Sequence, residues 1–158
     1  MVFAFFLCIA SLLLVHYVVT EKALHPLEHI FIWLLFVAVF ITFVDLATPK
    51  NSEMFTIKHE WTFRLGLRLN EIIIVPLIML FYLEQVHKTN TFIKNVINFV
   101  VFLLILLLNE WLLKKLNVID PKEWNDWWSI PNWTLWLIFS FIMQRLFRKL
   151  LIKEGVIH

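Results

Sequence analysis

The sequence predicts an all-α integral membrane protein, a single domain that forms a bundle of about five transmembrane helices. Of its 158 residues, 61% are apolar and only 16% are charged, and the mean hydropathy is +0.80. A soluble domain of this size carries far more polar surface. The apolar residues also fall into long runs, and a helix needs about 20 of them to cross a hydrocarbon core roughly 30 Å thick. Lipid offers no hydrogen bonds to the backbone, which favours helices.

Five segments have this character, and each is predicted to be one span: residues 2–19, 27–46, 68–85, 96–113 and 133–151. The first has no Lys or Arg before it, exceeds a typical signal core and lacks a small-x-small cleavage site, so we expect a retained span. His25 and Pro26 open the second, and proline suits a first helical turn. The fourth is an uninterrupted apolar run. The fifth ends in the basic residues Arg145, Arg148 and Lys149, which are expected to reach towards lipid headgroups.

The third span differs from the others. Its uninterrupted apolar stretch, residues 72–83, contains Pro76, and proline removes a backbone hydrogen bond and can kink a helix. To cross the bilayer, this span must draw Arg68 and Glu71 towards the membrane boundary. Otherwise it stays short and buried among the other spans. We expect any function of the chain to involve it.

Residues 55–69, which lead into this span, support two interpretations. Every odd position except His59 is apolar and every even position is polar, charged or glycine, an alternation typical of a strand. A lone strand would have nothing to pair with in a helical bundle. The helical alternative places four charged residues on one stripe at spacings of three and four: Glu60, Arg64, Arg68 and Glu71.

Polar side chains near the ends of the spans are the candidate functional residues, because a charged group in a membrane is costly unless it is paired or hydrated. If the helices alternate in direction, Asp45, Glu71 and Glu110 would converge with Arg64 or Arg68. Such a convergence is either a proton- or cation-linked site or an ion-pair network that fixes helix packing, and we favour the network. The full set of candidates is Asp45, Arg68, Glu71, Asn109, Glu110 and Arg145.

A weaker pattern of possible metal ligands opens the second span. His25, Glu28 and His29 share one helical face, as metal ligands often do. A metal site needs further ligands and a supporting shell, so we favour a helix start in which the helix dipole stabilises Glu28. The sequence thus implies no cofactor.

The distribution of tryptophan and basic residues bears on how the chain is oriented in the membrane. Lys and Arg divide seven against seven between the two sides, so the positive-inside rule does not decide the orientation. The basic C-terminus and the Trp-rich last loop favour an outside N-terminus and a cytoplasmic C-terminus in the cell membrane. Six tryptophans near this loop are expected to form an interfacial belt: Trp111, Trp124, Trp127, Trp128, Trp133 and Trp136.

Residues 55–151 resemble an uncharacterised family of small multi-spanning membrane proteins, with about five helices, from spore-forming Firmicutes such as bacilli and clostridia. The resemblance implies membrane location and five spans, and it implies no reaction. It adds weight to Glu71, Pro76, Glu110 and Arg145. Lys114 departs from it, since the family often carries an acid there. The matching features are Glu71-x4-Pro76, Glu110, Asn117-Val118-Ile119, Trp127-Trp128 and Gln144-Arg145-Leu146-Phe147-Arg148.

The favoured function is a non-enzymatic structural or accessory membrane subunit, with a link to envelope or sporulation physiology. No phosphate loop, nucleophile elbow, zincin motif or cysteine pair occurs. A formal charge of +2 gives no basis for nucleic-acid binding. The expected partners are the lipid bilayer and either another protein or a second copy of the chain. The alternatives are a small proton- or cation-linked transporter or channel-like protein, and a metal-dependent membrane enzyme.

Overall fold

The chain folds as a bundle of long helices. The computed structural model describes residues 2–47, 55–57, 61–89, 91–121 and 126–157. Each of the five predicted spans lies within one helix. Along the described chain the elements are α1 (Val2–Val19), α2 (Pro26–Ala47), β1 (Phe55–Ile57), α3 (Trp61–Leu69), a π-helical turn (Asn70–Ile74), α4 (Val75–Lys88), α5 (Phe92–Lys115), β2 (Ile119–Pro121) and α6 (Asp126–Lys153).

The helical membrane bundle predicted from the sequence is confirmed. In the described part of the chain, four helices are long and apolar enough to cross a membrane: α1, α2, the continuous helix Trp61–Lys88 and α5. The outer surface of the bundle is apolar, with side chains such as Leu12, Leu34 and Leu104 more than half exposed. The 28 residues of α6 span about 42 Å, and α6 packs against α2, α4 and α5.

The third span is the centre of the bundle. We call its helix, Trp61–Lys88, the central helix. In its most apolar stretch 67% of the residues are buried, whereas the corresponding shares for α1, α2 and α5 are 11%, 28% and 17%. It contacts all four of the other long helices. The sequence left two alternatives for this span, a helix long enough to cross the bilayer or a short helix buried among the others. The observed helix is long and also buried.

A π-helical turn lies directly before Pro76. The backbone N–H of Val75 donates to the carbonyl of Asn70, five residues earlier. Proline has no N–H to donate, and its ring crowds the carbonyl four residues before it, here that of Ile72. The wider turn accommodates both effects, so the helix continues to Lys88. Such turns are frequent at functional sites.

Residues 55–69 contain both predicted structures, a strand and the start of the central helix. Phe55–Ile57 forms β1, and the chain is helical again from Trp61. The strand pairs antiparallel with β2, with Phe55 opposite Pro121 and Ile57 opposite Ile119. The expectation that a strand would find no partner is therefore wrong. Glu60, on the predicted charged stripe, lies outside the described residues.

Gly66 lies where α1 meets α3. A Cβ atom at this position would lie 3.2 Å from Cδ2 of Phe6 and 3.6 Å from Cγ1 of Val2. Phe6 is fully buried. Small residues allow the backbones of membrane helices to approach closely, so Gly66 sets the distance between α1 and the central helix.

Gly66→Leu is expected to displace α1 and to lower the melting temperature, because its side chain must occupy the space of the Phe6 ring. Overpacking of this kind costs about 1–3 kcal/mol. Far-UV circular dichroism of the purified protein during heating measures the change. Thr62→Leu, at an exposed position of the same helix, is the matched control. Equal melting temperatures for the two variants would contradict the role given to Gly66.

Aromatic side chains join α2 to α6. The ring of Trp136 lies 5.5 Å from that of Phe40 and 5.7 Å from that of Phe36, measured between centroids. The ring of Trp133 lies 5.8 Å from that of Phe40. Both tryptophans are buried, so their predicted place in an interfacial belt is wrong. Of the other predicted members, Trp111, Trp127 and Trp128 are exposed, and Trp124 lies outside the described residues.

Candidate functional site

Buried polar side chains gather at the end of the bundle where α1 leads into α2. Glu28, His29, Glu84 and Gln144 are each at most 6% exposed, and we call them the Glu84 cluster. They come from the start of α2, the end of α4 and the last third of α6. The antiparallel order of the helices brings these three segments to the same level.

Glu84 binds the connection between α1 and α2. Its Oε2 accepts a hydrogen bond from the backbone N–H of Ala23 at 2.7 Å. Its Oε1 accepts one from the N–H of Leu24 at 3.4 Å and lies 2.7 Å from Nε2 of His29. One carboxylate thus satisfies two backbone donors of the connection just before α2 begins.

Glu28 caps α2 and joins it to α6. Its Oε2 accepts from the N–H of His25 at 2.8 Å, while Nδ1 of His25 accepts from the N–H of Leu27 at 3.3 Å. The arrangement resembles a capping box with histidine in the place usually held by Ser or Thr, except that the His25 side chain bonds to the second helical N–H and not to the third. The other oxygen of Glu28 accepts from Nε2 of Gln144 at 2.8 Å.

His29 connects the start of α2 with Glu84. Its Nδ1 lies 3.2 Å from the carbonyl oxygen of His25, and its Nε2 lies 2.7 Å from Oε1 of Glu84. Which ring nitrogen donates depends on the tautomer. Both side chains of this pair have polar partners in the interior, which is how buried ionisable groups are tolerated.

A second cluster joins α5 to α6 at the opposite end of the bundle. Glu110 accepts from the hydroxyl of Ser129 at 2.5 Å and from Nε1 of Trp133 at 2.6 Å. Nζ of Lys114 lies 2.7 Å from Glu110 and 2.7 Å from Asp126. We call Glu110, Lys114, Ser129 and Trp133 the Glu110 cluster. Its carboxylate is fully engaged in holding the start of α6 against α5.

The π-helical turn carries further buried polar groups. Glu71 is fully buried and its Oε2 accepts from Nη1 of Arg68 at 2.8 Å. Asn70, in the same turn, is 2% exposed, and Asn109, on α5, is 8% exposed. Among the described residues, neither Oδ1 of Asn70 nor Nδ2 of Asn109 has a hydrogen-bond partner. Polar groups of this kind are rare in protein interiors.

The structure joins one predicted pair of polar residues, Arg68 and Glu71. Glu71 bonds to Arg68 of its own helix, whereas Glu110 bonds to α6 and Lys114. The side chain of Asp45 lies outside the described residues. Arg145 is exposed, and its guanidinium lies 4.4 Å from the centre of the Phe141 ring.

The weak metal candidates have other roles. His25 and Glu28 cap α2, and His29 bonds to Glu84. Within the described residues, no group of three or more His, Cys, Asp or Glu side chains is placed to hold a metal ion.

Sequence reasoning missed Glu84 and did not pair Gln144 with Glu28. Glu84 directly follows the apolar stretch of the third span, and it is not among the predicted candidates. The available signal was the backbone ahead of α2, whose N–H groups need acceptors. No family model, curated protein or solved structure matches the chain. The family resemblance therefore stays a prediction.

Proposed function

We propose that the chain is a non-enzymatic integral membrane protein with a structural or accessory role. The observation that carries this proposal is that the carboxylates of both clusters bond to partners on neighbouring segments. Glu84 joins α4 to α2 and to the connection before it, Glu28 joins α2 to α6, and Glu110 joins α5 to α6. Such contacts fix the packing of helices.

The core between the two clusters supports the same role. Leu77, Leu80, Leu106 and Leu137 are fully buried there. On the central helix Glu71 precedes Glu84 by thirteen residues, a rise of about 20 Å. A path for protons or cations needs polar or hydrated groups along such a distance, and between these two acids the central helix carries only apolar side chains and Tyr82.

The charge at one end of the bundle and the family resemblance support a location and an orientation for the protein. We place it in the cell membrane with the N-terminus outside and the C-terminus in the cytoplasm. The end of the bundle near the C-terminus carries seven Lys and Arg, and its exposed acids in the described chain are Glu21 and Glu154. Anionic lipids of the cytoplasmic leaflet attract such a surface. The resemblance to a family from spore-forming Firmicutes supports a role in envelope or sporulation physiology, beside another protein or a second copy.

Ion flux and stability, measured on the same variants, test this role. The wild type, Glu71→Gln and Glu84→Gln are reconstituted into liposomes with a trapped pH-sensitive dye. We expect proton flux after a pH jump to equal that of empty liposomes, because the core between the clusters is apolar. Glu84→Gln should nevertheless lower the melting temperature. Glu154→Gln, which changes an exposed acid beyond α6, is the control and should change neither quantity.

Two outcomes would count against the proposal. Wild-type flux above that of empty liposomes, lost in Glu71→Gln or Glu84→Gln, would show a transport site. Chemical cross-linking in native membranes that yields only the monomer would contradict an accessory role, since an accessory subunit must contact another chain.

A specific observation favours the second candidate function, a small proton- or cation-linked transporter. Asn70 and Asn109 present buried polar atoms without a hydrogen-bond partner among the described residues, and Asn70 lies in the π-helical turn beside Glu71. Water would satisfy both groups, and a cation would satisfy the Oδ1 acceptor of Asn70. For this candidate, Asn109→Leu should abolish flux in the liposome assay, whereas under the structural role it leaves the absence of flux unchanged.

A further inference from the structure

A groove of about 180 Å³ opens on the outer surface of the bundle beside α2. Tyr17, His29, Ile30, Trp33 and Leu34 line it. Ile30 is 57% and Leu34 62% exposed, so the groove opens away from the protein interior. Tyr17 and Trp33 stand edge to face with their ring centres 6.5 Å apart. Because α1 and α2 are both long and apolar enough to cross a membrane, the groove faces lipid hydrocarbon.

The groove lies near the end of the membrane-spanning segments, next to positive charge. Tyr17 is two residues from the end of α1, and Nζ of Lys22 lies 3.4 Å from the centre of its ring. The ammonium of Lys22 also donates to the carbonyl of Tyr17. Lys88 donates to the carbonyl of Glu21 at 2.6 Å, which brings a second cation to the same connection. The mouth of the groove is therefore cationic.

The connection holds two cations and one exposed acid, Glu21, so positive charge is in excess at its surface. Glu28 and Glu84 are buried, and the charge of Glu84 attracts the ammonium of Lys22. Burial lowers the pKa of Lys22. An anion beside the ammonium would favour its charged form and raise that pKa again.

We propose that this groove binds one anionic phospholipid, with an acyl chain against Tyr17, Trp33 and Leu34 and the phosphate beside Lys22. The apolar walls on a lipid-facing surface select a hydrocarbon chain, and the cationic mouth selects an anionic headgroup. An anionic lipid thus matches both the apolar walls and the charge at the mouth.

Thermal stabilisation by defined lipids tests the proposal on the full chain in detergent. Phosphatidylglycerol is expected to raise the melting temperature at lower concentration than phosphatidylcholine with the same chains. Lys22→Gln should weaken the phosphatidylglycerol effect about fivefold, the contribution of one cation near an anionic surface. Leu34→Trp should fill the groove and remove the saturable effect, and Ile30→Trp is a second filling variant at an exposed position.

Two control variants distinguish lipid binding at this groove from general contact with lipid. Lys94→Gln removes a cation from the same end of the bundle, and Leu104→Trp enlarges an apolar side chain that is 59% exposed on α5. Both should respond to phosphatidylglycerol as the wild type does. Glycerol phosphate, which has the headgroup charge without chains, should give no stabilisation. The proposal is overturned if Lys22→Gln and Lys94→Gln lose the effect equally, if filling the groove changes nothing, or if glycerol phosphate alone suffices.

Discussion

Replacing Glu84 with alanine is expected to lower the free energy of unfolding by about 3–5 kcal/mol, the usual cost of breaking a buried charge pair. The substitution removes the acceptor for Ala23 and Leu24 and leaves His29 buried beside an empty space. Titration with SDS from mixed micelles, followed by circular dichroism, measures the change. Glu84→Gln should recover part of the loss, because an amide oxygen still accepts from a backbone N–H.

A double-mutant cycle tests whether His29 and Glu84 act as a pair. His29→Leu alone should also be costly, since it leaves Glu84 buried without its ring partner. The double variant should then cost less than the two single losses added together. Additive losses would contradict the pairing of His29 with Glu84, and a cost for Glu84→Ala no larger than that for the exposed Glu154→Ala would contradict the cluster itself.

Trp136→Ala is the second substitution for which we expect a large effect, a loss of about 3–5 kcal/mol. Trp136 is buried, and its ring contacts those of Phe36, Phe40 and Phe139 between α2 and α6. Removing the indole leaves a cavity that two packed helices cannot close. The same SDS titration measures the loss.

Trp128→Ala is the matched control for this effect. Its indole is 65% exposed on the same helix, so its removal should change the free energy of unfolding by less than about 1 kcal/mol. Trp136→Phe should fall between the two, because a smaller ring keeps part of the contact. Equal losses for Trp128→Ala and Trp136→Ala would contradict the α2–α6 contact.

The sequence predicted where helices lie better than which way they face. A span is recognisable from the length of an apolar run, and each of the five runs lies within a helix. In a membrane both faces of a helix are apolar, so the pattern does not tell the inner face from the outer one. Trp128 and Trp136 illustrate this, since the same interfacial interpretation fitted both and only one is exposed.

The candidate site was predicted only in part for a related reason. Glu28, His29, Glu71 and Glu110 stand out in the sequence because they are polar residues at span ends. Their partners depend on the rotation of neighbouring helices, as in the pairing of Glu28 with Gln144. The pairing of β1 with β2 is a contact between distant segments, and no local pattern in either strand specifies it.

The pairing of β1 with β2 constrains how the chain can be threaded through a bilayer. Two strands that share hydrogen bonds must lie on the same side of it. The central helix and α5 separate them in the chain, so these two helices must enter and return as one hairpin, whichever way the whole chain is oriented. During synthesis β1 emerges first and can pair only after the hairpin has been inserted. The paired strands therefore require an even number of membrane crossings between them.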